Sequence, residues 1–318
     1  MLLIVALALG AALLYGVADF MGGVAARRIP VLLATTINYA FAAAVVVVAT
    51  TVTGGEWSAS AVGGGVLAGV LAVIGFLTFY AALAAGPISL MTPLIALLSS
   101  VVPVIATVVD GEVLRPLAWA AIALALVASM LIGVERRIHV GGVRPRTVVL
   151  AVISGVSFGF ATVALDSAPE PSALIPVLLE TVVGLVLLLA LVAAVRVSPA
   201  VGRLVGVLDV HASLAAPAQV DAQHTPGVAS ASEQDVAASM TRRARRLAAL
   251  AGVLIGGANV LLMIALHAGN VAIVAVLVNL YPVATVVLAW AVLRERVSRT
   301  QAVGAALAIA ASVLLGMA

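Results

Sequence analysis

The sequence predicts an all-α integral membrane fold of about ten transmembrane helices, arranged as two inverted five-helix repeats. Three observations predict it. Apolar residues make up 64% of the chain and charged residues only 9%, whereas soluble domains carry about a quarter charged residues. The apolar residues gather in blocks of about 20, the length at which a helix spans a ~30 Å hydrocarbon layer. The second half of the chain also repeats the first.

The blocks fall at 2–24, 31–52, 62–85, 88–109, 115–134, 147–167, 172–195, 247–268, 271–293 and 299–317. Turn residues or charges separate them: Arg27-Arg28-Ile29-Pro30, Gly54-Gly55-Glu56, Gly86-Pro87, Asp110-Gly111-Glu112, Glu135 to Arg146, Asp166 to Pro171 and Arg294 to Arg299. Glycine and proline end helices by backbone geometry, and charges end spans because hydrocarbon does not solvate them. The Ala268-Gly269-Asn270 break is short; one long kinked segment there would give nine helices instead. Leu2 to Leu14 lacks the basic flank and the cleavage site of a secretory leader, so it reads as the first span.

One stretch differs. Ser198 to Thr241 is rich in Ala, Ser, Gln, Asp and Pro and holds no sustained apolar block. It reads as a flexible, water-exposed loop at 198–241 with a short helix near Leu204–Leu208. It is either a regulatory or partner-binding segment or a dispensable insertion. The run Arg242-Arg243-Ala244-Arg245-Arg246 that follows suits anionic lipid head groups, or anchors the next helix.

The repeat is visible without gaps. An offset of 183 lays 67–133 on 250–316, with roughly 20 identities in about 70 positions against about eight expected by chance in so Ala/Val/Leu-rich a chain. Gly69-Val70-Leu71 meets Gly252-Val253-Leu254, Gly86 meets Gly269, Glu112 meets Glu295, and Ala128-Ser129 meets Ala311-Ser312. Earlier spans match at an offset of 143, where Leu14-Tyr15-Gly16 faces Ser157-Phe158-Gly159. The offsets differ by about the length of the 198–241 loop. The expected organisation is therefore a first repeat over 1–137 and a second over 147–318 that carries the loop as an insertion. Five spans is an odd number, so the second copy inserts upside down. Inverted repeats around a midplane site are a recurring plan of secondary transporters.

Charge sets the expected orientation. All sixteen basic residues are arginine, and fifteen lie in the loops joining spans 1–2, 5–6, 7–8 and 9–10; only Arg115 falls in an even-numbered loop. By the positive-inside rule the odd loops are cytoplasmic and both termini lie outside, in a multi-pass protein of the bacterial plasma membrane. The net charge of +3 is explained by these clusters, so nucleic acid is not an expected partner. There is no cysteine, which excludes disulfides and thiolate metal sites. No metal spacing and no cofactor motif is found, and the oligomeric state is not legible.

The ordered motifs resemble a known family. Phe79-Tyr80-Ala81-Ala82-Leu83-Ala84-Ala85-Gly86-Pro87-Ile88-Ser89, then Pro93-Leu94, then Gly111-Glu112-Val113-Leu114 are similar to the EamA repeat of the drug/metabolite transporter superfamily. The second copy, with Ala265-Leu266-His267-Ala268-Gly269-Asn270, Leu280-Tyr281-Pro282-Val283, Arg294-Glu295-Arg296-Val297-Ser298, Gln301 and Gly304, is similar again. The resemblance covers the chain apart from 198–241. It implies a ten-helix exporter or importer of amino acids, metabolites, nucleotide sugars or drugs. Members of that family usually place both termini in the cytoplasm, opposite to the arginine pattern.

Polar side chains inside hydrocarbon are costly and mark partners, cavities or pathways. Tyr15 and Asp19 are four apart and share a helix face; Asp19 either faces a site or pairs with Arg27-Arg28. Asn38 either binds substrate or bonds a neighbouring helix. Glu180 lies about eight residues, roughly 12 Å, into the seventh span. A carboxyl there suits proton coupling or a cationic substrate, or is held protonated by a neighbouring helix. Tyr80, Asn259 and Asn279 complete the candidates. Pro93, Pro103 and Pro282 free backbone carbonyls and permit kinks. Glu112 and Glu295 read as helix-end or gate contacts.

The functional expectation is a secondary transporter, an exporter of a small metabolite, amino acid or drug-like solute, working by alternating access with protons as the candidate coupling ion. Its partners are the small-molecule substrate and the lipid bilayer. The rivals are an integral membrane enzyme, for which no catalytic cluster is found, and a non-transporting structural membrane protein. Few aromatics, 4% of the chain, argue against large polyanionic substrates.

Overall fold

The computed structural model describes residues 1–133, 144–208, 231–293 and 298–317. The described residues form twelve α-helices, one short 3-10 turn and no strand. The helices are α1 (Leu2–Ala26), α2 (Val31–Thr53), α3 (Ala59–Ala85), α4 (Ile88–Val109), α5 (Pro116–Gly133), α6 (Pro145–Asp166), α7 (Ile175–Val197), α8 (Pro199–Gly206), α9 (Ala231–Ala268), α10 (Val271–Val278), α11 (Pro282–Leu293) and α12 (Arg299–Met317). Eight are long and apolar enough to cross a membrane by length and composition, and two shorter apolar segments, Pro116–Ile132 and Val271–Thr285, bring the spans to ten. This is an all-α multi-span membrane protein.

The helices start and stop where backbone chemistry requires. Ser58 caps α3, its Oγ accepting from the Ala61 amide at 3.1 Å, and Asn270 caps α10 by accepting from Ala272 N at 2.9 Å. Gly54 and Gly111 leave α2 and α4 with positive φ, 70° and 75°, conformations that only glycine takes without strain.

Packing follows the repeat. α3 lies on α6 and α7, and α9, its counterpart at offset 183, lies on α1 and α2, the counterparts of α6 and α7 at offset 143. α4 packs on α6 as α10 and α11 pack on α1. α2 packs on α7, and α5 on α12, the helices that correspond at the two offsets. Without a hydrophobic force between helices in lipid, such contacts rely on close backbone approach at small residues. A Cβ on Gly69 would fall 2.9 Å from the Glu180 carbonyl oxygen, and one on the equivalent Gly252 would fall 2.3 Å from the Asn38 carbonyl oxygen.

Four expectations are refined. The Ala268–Asn270 break is real, which removes the nine-helix alternative. The ninth span is not one helix: Asn279, Leu280 and Tyr281 form a turn between α10 and α11. Pro282, which has no N–H to donate back into α10, starts the second piece, and the amides of Leu280 and Tyr281 instead make tight i→i−3 bonds to Leu277 and Val278. The seventh span begins at Ile175, so Glu180 lies five residues, about 7.5 Å, inside it rather than eight. Within 198–241, residues Pro199–Gly206 are helical and α9 already begins at Ala231; residues 209–230 lie outside the described residues, as does Glu295.

Candidate functional site

A cavity of about 90 Å³ lies among α1, α3, α4, α6, α7, α9 and the α10–α11 break. Five of the sequence candidates line it: Tyr15 and Asp19 from α1, Glu180 from α7, Asn259 from α9 and Asn279 from the break. Asp19, Glu180 and Asn259 are all buried. No arginine or histidine lines it.

The polar side chains are partly tied to one another. Tyr15 Oη donates to Asn259 Oδ1, joining the first repeat to the second. Ser99 Oγ donates to Asn279 Oδ1 at 2.9 Å, joining α4 to the break. Tyr281 Oη donates to the Thr92 carbonyl at 3.2 Å across the same junction. Gly16 makes this approach possible: a Cβ there would sit 2.6 Å from both the Tyr281 carbonyl oxygen and Ala284 Cβ. Glu180 is different. Its Oε2 is buried and has no hydrogen-bond partner, an arrangement that costs free energy unless a proton or a ligand completes it.

Asn38 and Tyr80 do not line the cavity. Asn38 Nδ2 donates to Tyr80 Oη at 3.0 Å, and both are buried. The Tyr80 ring lies against Gly22, where a Cβ would come within 2.4 Å of its hydroxyl. Of the prolines, Pro93 and Pro103 lie inside the unbroken α4, whereas Pro282 marks the real interruption. Glu112 accepts from Asn270 Nδ2, linking the α4–α5 loop to the α10 cap. At the opposite end of the bundle Arg27 donates to the carbonyls of Gly86 at 2.9 Å and Leu83 at 3.2 Å.

Several lining residues were not singled out from sequence: Phe76, Phe79, Phe158, Ser99, Thr162 and Tyr281. The three phenylalanines form one edge-to-face cluster, with Phe76 and Phe158 at 4.8 Å and Phe79 and Phe158 at 6.0 Å between ring centroids. Tyr39 abuts Phe76 at 5.5 Å. A Cβ on Gly75 would lie 2.6 Å from the Phe158 ring, so glycine lets the cluster close.

The repeat offsets give this lining an order. Tyr15 is equivalent to Phe158, Asp19 to Thr162, Asn259 to Phe76 and Leu262 to Phe79, and all eight line the cavity. Equivalent positions of the two offsets therefore line one cavity. The α1–α9 wall carries the phenol, carboxyl and amide, and the α3–α6 wall carries the aromatic rings.

Comparison with known proteins agrees with this architecture. Residues 232–317 match the EamA-like transporter family. A solved crystal structure of a protein superimposes with a TM-score of 0.55 over 96% of this chain and 98% of its own, at 16% sequence identity, which shows a shared fold. No curated protein matches the chain.

Proposed function

We propose that this EamA-domain protein of the drug/metabolite transporter superfamily is a secondary transporter that exports a small metabolite, amino acid or drug-like solute by alternating access, with protons as the coupling ion. The observation that carries the reading is the cavity between the two repeats, into which Asp19 and Glu180 bring carboxyl groups without a basic neighbour in the lining. In a low-dielectric site such a carboxyl is neutral or is paired with something that enters. That condition couples its protonation to occupancy of the cavity. The proposed location is the plasma membrane.

The repeat packing supports the transport mode. Two halves that meet across a pseudo-twofold can exchange conformations, opening the cavity first to one face and then to the other. The Glu112–Asn270 link and the Arg27 contacts stand at opposite ends of the bundle, where the two gates of such a cycle belong.

The test is uptake and efflux of labelled amino acids and metabolites in proteoliposomes, with and without a pH gradient, for the wild type and Glu180→Gln. Gradient-driven flux that the variant loses is the expected result. Flux indifferent to the gradient and to Glu180→Gln would remove the coupling role.

A further inference from the structure

We infer that the substrate is a small organic cation, an ammonium group carrying a compact apolar or aromatic body, held by the carboxyls and the phenylalanine cluster that line the central cavity. The inference rests on the transporter reading and names its substrate class.

Three observations carry it. The cavity contains two buried carboxyls and no basic side chain, so an anionic cargo would meet uncompensated repulsion and a zwitterion would leave its carboxylate without a cationic partner. Glu180 Oε2 is buried without a hydrogen-bond partner and belongs to a side chain lining the cavity, and an ammonium donor would satisfy it. The same cavity is lined by Phe76, Phe79 and Phe158, whose clustered rings present faces and edges to an apolar body or to the methyl groups of a quaternary ammonium. The cavity thus offers a group for each end of one amphipathic cation. The volume of about 90 Å³ restricts the cargo to a compact one.

The acids outside the cavity favour the same charge. Asp166 ends α6 one residue beyond the lining residue Leu165, and it lies within electrostatic range of Glu112 and Asp110. A cluster of like charges beside a low-dielectric cleft raises the local concentration of the opposite ion.

The experiment is equilibrium binding to the purified full-length protein in nanodiscs, with charged and uncharged probes of matched shape. Benzylamine is compared with benzyl alcohol, choline with its uncharged tert-butyl analogue, and choline with the zwitterion glycine betaine. The expected result is at least about tenfold tighter binding of each cation than of its partner: benzylamine through a charge-assisted hydrogen bond to the carboxyl, and choline, whose quaternary nitrogen has no N–H, through its charge beside the carboxyls and the aromatic rings. Glu180→Gln is expected to remove that preference for benzylamine while leaving benzyl alcohol within about twofold. Phe158→Leu is expected to weaken choline about fivefold. Thermal unfolding of each variant without ligand separates lost binding from lost folding, and Asp19→Asn serves as the second carboxyl variant where Glu180→Gln does not fold. Equal binding of cation and uncharged partner, or of choline and betaine, overturns the inference. Proteoliposome flux of an uncharged or zwitterionic solute in that case would leave the transporter reading standing. Selective cation binding with no flux of the same cations would do the reverse.

Discussion

Tyr15 and Asn259 meet between the first helix and the long α9, the phenol of α1 donating to the side-chain carbonyl of α9. They hold together the two helices that make the polar wall. Tyr15→Phe leaves a buried amide oxygen short of a donor, and interhelical bonds of this kind contribute about 0.6–1.7 kcal/mol in membrane proteins. A double-mutant cycle with Asn259→Ala, read by unfolding in detergent, is expected to return a coupling energy in that range. Strict additivity would show that the bond contributes nothing.

Gly16 and Gly63 form a second, paired prediction. A methyl group at Gly16 meets the backbone of the α10–α11 break, whereas one at Gly63 meets nothing within 4 Å. Backbone cannot rotate away as a side chain can. Gly16→Ala is therefore expected to cost about 1–3 kcal/mol, and Gly63→Ala to be neutral or to stabilise by up to about 1 kcal/mol through helix propensity. Melting temperatures of the two variants in the same detergent decide it; equal values would contradict the packing described.

The Glu112–Asn270 link connects the two repeats at one end of the bundle. The chain has no cysteine, so Glu112→Cys with Asn270→Cys creates a single cross-linkable pair. Cross-linking is expected to abolish flux and reduction to restore it, as a gate requires. Full flux in the cross-linked protein would mean that this end does not move.

Orientation is tested with the same cysteine-free background. Glu56→Cys is expected to react with a membrane-impermeant thiol reagent in intact cells, and Val197→Cys only after permeabilisation, as the arginine distribution requires. The reverse pattern would return the termini to the cytoplasm, where members of the family the sequence resembles usually have them.

Most of the architecture was legible because hydrocarbon imposes length and polarity on every span, and the two offsets fix which spans correspond. The break at Asn279–Tyr281 was less so, because the apolar run from Val271 to Leu293 continues through it and Pro282 alone reads as a kink. The polar lining was legible, since Asp19, Glu180 and Asn259 stand out in an apolar chain. The aromatic wall was not: a phenylalanine in a membrane helix looks the same whether it faces lipid, core or cavity. The offsets did contain the signal, as Phe158 and Phe76 occupy the positions of Tyr15 and Asn259. Asn38 and Tyr80 looked like site residues because they are polar and buried, but Asn38 Nδ2 donates to Tyr80 Oη and neither lines the cavity.

The unlike walls have a thermodynamic consequence. In a pair of identical halves, inward-open and outward-open forms would be mirror states of equal energy, and only gradients could favour one. Here the offset of 143 places Glu180 of α7 opposite Ile37 of α2, and Asp19 opposite Thr162. In the proposed alternating-access cycle these unlike residues lift the degeneracy, and the empty protein is expected to rest on one side. Tandem duplication followed by divergence gives such a protein a default polarity that a symmetric dimer cannot encode.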